Sequence, residues 1–289
     1  MRLITLLAIL CLFQPAMRGI VPVGLIKFHN ETTDTTRITE MLIEAENISD
    51  PNERIITLAK KFDGVPYVAS TLENADGEEQ LTVNLDELDC TTFVDVILSL
   101  AYTAGQHRTS WRDFTSNLER LRYRSGEMDG YPSRLHYFSD WVVDNTARGN
   151  IKEVTNRFPV YKDVVKSLNF ITRNRDKYPA LADSVTYERV KSFEIGYRNH
   201  RYPVVEARHL NSRDTRNALK DGDIVALATK TQGLDVTHLG FIVKDDKGIP
   251  YLLHASSAQG KVVIDKEPLI ERLRRDRSIQ GIRVVRLSE

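Results

Sequence analysis

The residues of this 289-residue chain best suited to nucleophilic or metal chemistry are two cysteines, Cys11 and Cys90, and seven histidines. Cys90 follows Asp89, an N-cap residue type, and opens an apolar face of Phe93, Val94, Ile97 and Ala101 at helical spacing. A thiol in a first helical turn sits beside unpaired backbone N–H groups and the positive end of the helix dipole. Both favour the thiolate and lower the thiol pKa. The same N–H groups can hold an oxyanion, so one short element is expected to supply nucleophile and oxyanion hole. A lone cysteine on an apolar helix face is also a common small core residue. The histidines decide between the two readings.

His238 lies in the β-branched run Thr237-His-Leu-Gly-Phe-Ile-Val243, and Asp245-Asp-Lys-Gly248 is a turn that folds Tyr251-Leu-Leu-His-Ala255 back beside it. A turn centred near residue 246 pairs positions summing to about 492, which sets His254 opposite His238 on one face. One imidazole then serves as general base to Cys90 while the other orients it. Ser256 shares that strand face and is the alternative third member. A Cys-His-His zinc site is the competing use of the three side chains, although it has no need of an activated thiol.

Other chemistries are disfavoured. The sequence contains no HExxH, Walker A, GxSxG or GxGxxG string. Two cysteines are too few for a disulfide scaffold or a four-cysteine zinc knuckle. Forty Lys and Arg balance forty Asp and Glu, so no net charge draws the chain to nucleic acid. With 28% charged residues and 41% hydrophobic ones, it is neither a disordered chain nor a polytopic membrane protein.

The elements that must position these residues divide the chain. Residues 1–18 read as a secretory signal peptide: Arg2, an apolar run Leu3 to Phe13 of about eleven residues, then Pro15 and Ala16, the run being too short to span a membrane. Cys11 would leave with it, and Leu10 in front of Cys11 does not suit a lipidation site. Residues 33–62 carry two helical stripes separated by Asp50-Pro51, and 89–101 and 109–124 carry further ones. Short β-branched runs follow at 224–228, 237–243, 251–255, 261–264 and 282–287. Helices first and antiparallel sheet second indicate an α+β fold in one domain, 19–289. Residues 105–220 are read as helical and loop insertions, the Arg- and Lys-rich part from 170 as a solvated surface. Within them Tyr131-Pro-Ser-Arg-Leu-His-Tyr-Phe-Ser-Asp-Trp-Val-Val-Asp-Asn145 sets polar tips on aromatic bodies. It also fits an ordinary amphipathic helix burying Leu135, Phe138 and Val142.

Gly64-Val-Pro-Tyr67, Leu88-Asp-Cys-Thr-Thr-Phe93, Asp221-Gly-Asp-Ile224, Thr237-His-Leu-Gly-Phe241 and Leu253-His-Ala-Ser256 resemble the motifs of NlpC-type, papain-like cysteine peptidases and amidases that cut bacterial cell-wall peptides. The 135–141 block and Asp89-Cys-Thr-Thr-Phe-Val94 resemble, more narrowly, the N-acetylmuramoyl-L-alanine amidase-like branch. The resemblance implies a papain-like core with Cys90 as nucleophile, His238 as base and His254 as orienting residue, without a metal or cofactor. It implies that Tyr67 lines the site and aids the oxyanion hole. Thr91-Thr92, where the superfamily usually has Ser-Gly, narrows the pocket beside Cys90. Arg134, His136, Asp140, Trp141 and Asn145 would receive the sugar of a muropeptide, in particular an anhydro-muropeptide from wall turnover. The implied protein is a periplasmic monomer, not inserted in the membrane after loss of its leader. A D-glutamyl-diamino acid endopeptidase and a non-catalytic wall-fragment binding protein are the alternatives.

Overall fold

The computed structural model describes residues 23–74 and 77–288; the leader segment and Cys11 lie outside them. Helices occupy Glu31–Ala45 (α1), Pro51–Lys60 (α2), Cys90–Gly105 (α3), Trp111–Arg122 (α4), Phe138–Ala147 (α5), Phe170–Arg173 (α6), Ser184–Gly196 (α7), Arg213–Ala218 (α8) and Leu269–Arg275 (α9). Strands are Ile26–Phe28 (β1), Leu81–Val83 (β2), Ile151–Glu153 (β3), Lys162–Lys166 (β4), His200–Glu206 (β5), Ile224–Thr229 (β6), Val236–Lys244 (β7), Pro250–Ser256 (β8), Lys261–Ile264 (β9) and Ile279–Leu287 (β10). Caps explain the helix starts. The Asp50 carboxylate accepts the Asn52 N–H at 2.8 Å with Pro51 as first helical residue, and Asp89 caps α3 in a reciprocal box with Thr92.

An eight-stranded antiparallel sheet runs β4-β5-β10-β6-β7-β8-β9, with β3 also paired to β10. On one face, Phe93 and Ile97 of α3 pack with Phe241, Leu253 and Ala255. On the other, Val225, Ile242 and Leu252 meet Leu269 and Leu273 of α9. The architecture is mixed α+β with an antiparallel sheet, as the patterning indicates, but the order is less simple than helices first: β1 and β2 form a separate parallel pair, and α6 to α9 lie among the strands.

The 105–220 region is more integral than an insertion. Three of its segments, β3, β4 and β5, join the sheet. Leu168, Ile171, Leu181 and Val190 form a separate buried cluster with Tyr131 and Tyr137, so the basic segment from 170 is not a wholly solvated surface. Its apolar residues are spread among charged ones on short elements, which leaves no clear period to read. No helix among the described residues is long and apolar enough to cross a membrane.

Candidate active site

Cys90 is the first residue of α3, where the Asp89 cap ends the preceding loop. The two amides beyond it are already used: Asp89 Oδ1 accepts the N–H of Thr91 at 3.0 Å and of Thr92 at 2.8 Å. Contrary to the depressed pKa expected from sequence, burial pushes the thiol up to about 11, with the Asp89 carboxylate adding to the shift. Hydrogen bonds from the Leu239 backbone, the Thr91 side chain and the Cys90 N–H act in the opposite sense and do not overcome it. The cap that starts the helix takes the amides that would have stabilised a thiolate and puts an anion in their place.

His238 on β7 lines the same cavity as Cys90, a cleft of about 370 Å³, within the range of small-molecule sites. Its Nε2 lies 2.5 Å from Nδ1 of the fully buried His254 on β8, the rings edge to face with centroids 4.7 Å apart. The contact is diagonal. The hairpin pairs Phe241 with Leu253, so partners sum to 494 and not 492. Asp245 Oδ1 accepts the N–H of both Lys247 and Ile249, which centres the turn on Lys247. A shift of two residues preserves the face, and imidazoles reach across the diagonal. Gly240 comes opposite His254, and a Cβ there would lie 2.9 Å from His254 Cβ and 2.8 Å from the Leu253 carbonyl oxygen. Glycine therefore lets the strand carry His254 close to His238.

Behind His254 the chain of contacts continues through residues that sequence reading missed. His254 Nε2 lies 3.1 Å from Asp265 Oδ1, which also accepts from Gln259 Nε2 at 2.9 Å, while Arg272 donates to Asp265 Oδ2 at 3.0 Å. Burial acts to raise the Asp265 pKa, but the His254 contact and Arg272 outweigh it and hold the carboxyl below its usual range. Burial, His254 and Arg272 together lower His238 to about 3, so at neutral pH it faces Cys90's cavity uncharged. Among the described residues no cluster of three His, Cys, Asp or Glu side chains is arranged around a common metal position; His238, His254 and Asp265 run in a line.

The other sequence-predicted residues separate into two groups. Thr91, Arg134, His136 and Trp141 line the cavity. Arg134 donates to Glu73 Oε1 at 2.6 Å, and His136 Nε2 contacts the Tyr131 carbonyl at 2.9 Å. The buried indole N–H of Trp141 has no protein partner. Tyr67 is not among the residues lining the cavity; it lies near Cys90 and Asp89, and burial together with those two groups raises its pKa, so it stays protonated. Asp140 and Asn145 are not brought to the cavity. Asp140 is paired with Arg124 and accepts from Tyr197, and Asn145 donates to the carbonyls of Leu121 and Trp141. Ser256 lies with His238 on a second cleft, beside Gln259 and Arg272, and accepts the Gln259 N–H at 3.3 Å.

Comparison with known proteins adds a family. The family described as AmiA-like, N-acetylmuramoyl-L-alanine amidase-like, matches residues 57–282. A crystal structure of an N-acetylmuramoyl-L-alanine amidase from Bacteroides uniformis ATCC 8492 is similar with TM-score 0.77 and 35% identity, over 83% of this chain and 99% of that one. A Bacteroides fragilis structure described as a candidate xylanase is similar at TM-score 0.74 and 37% identity, over 80% and 99%. The Legionella pneumophila protein LPG0564 shares the fold at TM-score 0.68 and 22% identity, over 90% and 96%. No match was found among curated proteins.

Proposed function

Since the chain belongs to the AmiA-like, N-acetylmuramoyl-L-alanine amidase-like family, we propose that it is a thiol amidase of papain-like, NlpC type. It would hydrolyse the amide between the lactyl group of muramic acid and L-alanine, with anhydro-muropeptides as the preferred class. The observation that carries this reading is a thiol and a neutral imidazole lining one cavity, with a second imidazole hydrogen-bonded behind the first.

In the mechanism, His238 takes the Cys90 proton as sulfur attacks the lactyl carbonyl, and the tetrahedral intermediate collapses with cleavage of the C–N bond. The imidazolium returns that proton to the departing L-alanine amine. Water, deprotonated by His238, then cleaves the thioester to release the acid and restore the thiol. Because Thr91 and Thr92 amides are committed to Asp89, the oxyanion is left to the Cys90 N–H and the protonated Tyr67 hydroxyl. The apolar lining of Leu135, Phe138 and Trp141 suits a sugar face. The N-terminal leader pattern supports export to the periplasm as the setting.

A glycosidase would need an available pair of carboxyl groups. The cavity's four are committed: Glu73 to Arg134, Asp89 to helix amides, Asp95 to Arg122, and Asp235 to the N–H groups of Ser139 and Val236. Digestion of purified muropeptides resolved by mass tests the proposal. Release of an intact peptide from the sugar, abolished in Cys90→Ala and indifferent to chelator, is the expected result. Cleavage between D-glutamate and the diamino acid would instead establish the endopeptidase, and full activity in Cys90→Ala would refute the mechanism.

A further inference from the structure

We propose that Asp265, held by Arg272 and Gln259, is a positioning residue that sets which nitrogen of His254, and through it of His238, carries the proton. This role presupposes His238 as the base that serves Cys90, as read above.

An ionised carboxylate only accepts hydrogen bonds. Asp265 Oδ1, 3.1 Å from His254 Nε2, therefore requires the proton of His254 on Nε2. A His254 ring carrying that single proton has its lone pair on Nδ1, and that atom is 2.5 Å from His238 Nε2. His238 must donate from Nε2, which leaves Nδ1 as its lone-pair nitrogen. Two buried imidazoles in contact admit two consistent arrangements, with all protons shifted one way or all the other. Only one of them leaves His238 able to accept a proton at Nδ1. A carboxylate at the far end selects it, and Asp265 is that carboxylate.

The surroundings of Asp265 fix its charge and its orientation. Arg272, on α9, donates to Oδ2, and Gln259, on the loop before β9, donates to Oδ1. Asp265 itself extends β9, its N–H donating to the Leu252 carbonyl at 2.9 Å, so that it stands diagonal to His254, two residues along from the His254 partner Val263 on the same face. The side chain is 9% exposed as a residue, while Arg272 is partly open to solvent. Lys266, Glu267, Arg275 and Asp276 are the other charged groups lining the cleft on this side. None is needed to satisfy the carboxylate.

Asp265→Asn reverses the selection. The Arg272 cation holds the amide oxygen in the Oδ2 position, because the alternative sets the NH2 group against the guanidinium. The amide NH2 then faces His254 Nε2, which has to accept. The His254 proton moves to Nδ1, His238 accepts at Nε2, and its own proton moves to Nδ1, where the lone pair is needed. Gln259 adjusts by turning its amide oxygen toward the new donor.

Long-range 15N–1H spectra of histidine-labelled protein read the tautomers directly and need no substrate. The expected result is both His238 and His254 protonated on Nε2 in the wild type and both on Nδ1 in folded Asp265→Asn. In a muropeptide assay kcat should fall by about 10³–10⁴, as for amide replacement of a triad carboxylate, with KM changed less than about threefold. A wild-type His254 protonated on Nδ1 overturns the proposal even if the variant does not fold. Unchanged tautomers in the folded variant, or kcat within tenfold of wild type, overturn it as well. If the protein hydrolyses no muropeptide, the amidase reading fails while the spectra still decide the tautomers.

Discussion

Cys90 and His238, which line one cavity, both rest uncharged, and the alkylation of Cys90 as a function of pH measures this. Burial and the Asp89 charge push the thiol up to about 11, and burial and neighbouring groups bring the imidazole down to about 3. At pH 7 a thiol titrating near 11 is about one part in ten thousand thiolate, and at pH 9 about one part in a hundred. The second-order rate with iodoacetamide should therefore rise about tenfold per pH unit and about a hundredfold between pH 7 and 9. A preformed thiolate–imidazolium pair would instead give a rate nearly constant across that range. Peptide mapping by mass spectrometry assigns the modification to Cys90. Asp89→Asn tests the cause, since asparagine caps a helix about as well as aspartate and removes the charge. The profile should move to lower pH with little loss of stability. A wild-type rate changing less than about threefold from pH 7 to 9 would refute the neutral pair, and an unmoved profile in Asp89→Asn would refute the assigned role of its carboxylate.

Other expectations follow from single contacts. Arg122 donates to Asp95 Oδ2 at 2.9 Å with both side chains buried under the cavity; Arg122→Met should cost about 3–5 kcal/mol in urea unfolding by leaving Asp95 unpaired. Trp141→Phe keeps an aromatic wall and removes a buried indole N–H that no protein group satisfies, so urea unfolding should show stability unchanged or raised by about 1 kcal/mol, and a loss above about 2 kcal/mol would show that this N–H is partnered. His136, like His238, is lowered to about 3, here by burial and the Arg134 charge. Each group stays neutral when folded and binds a proton when unfolded, so its stabilisation is complete above pH 6.5. It is lost at about 1.4 kcal/mol per pH unit as pH falls toward 3. His136→Gln should lessen this slope of unfolding free energy between pH 6 and 4; an unchanged slope would show that His136 is not held neutral.

The thiol at a helix start and the hairpin carrying two histidines were legible because each has a local marker: an Asp before an apolar helical stripe, and an Asp-Asp-Lys-Gly turn between β-branched runs. The register error had a local cause too. The side chain of Asp245 moves the turn centre by one residue, and only the preserved parity kept both imidazoles on one face. Asp265 was hidden because its partnership depends on how β9 pairs with β8, set by a turn through Ser257 to Gly260 with no fixed length rule. Its bond to His254 spans two strands, which periodicity in either strand does not report. Asp140 and Asn145 looked like site residues for the opposite reason. They share a helix with Trp141, but α5 directs them to Arg124, Tyr197 and the α4 carbonyls, while the cavity takes the neighbouring face.

A neutral resting thiol bears on the exported setting proposed above. Oxidation to sulfenic acid and exchange with disulfides both proceed through the thiolate. A cysteine held up near 11 by burial and Asp89 is therefore protected where a low-pKa thiol would be consumed. The same protection shifts the burden of activation from the helix terminus to the base. In the proposed mechanism the proton has to leave sulfur during the attack, when the carbonyl is already in place, and among the described residues His238 is the neutral acceptor that lines the cavity with Cys90 and has a relay behind it. An enzyme that rests as an ion pair can tolerate a misassigned imidazole proton, since its thiolate already exists. On the proposed mechanism this one has no such reserve, and the nitrogen that carries the His238 proton would become decisive. On the proposed relay, the Asp265 carboxylate, two hydrogen bonds from His238, would thereby gain its hold on the rate.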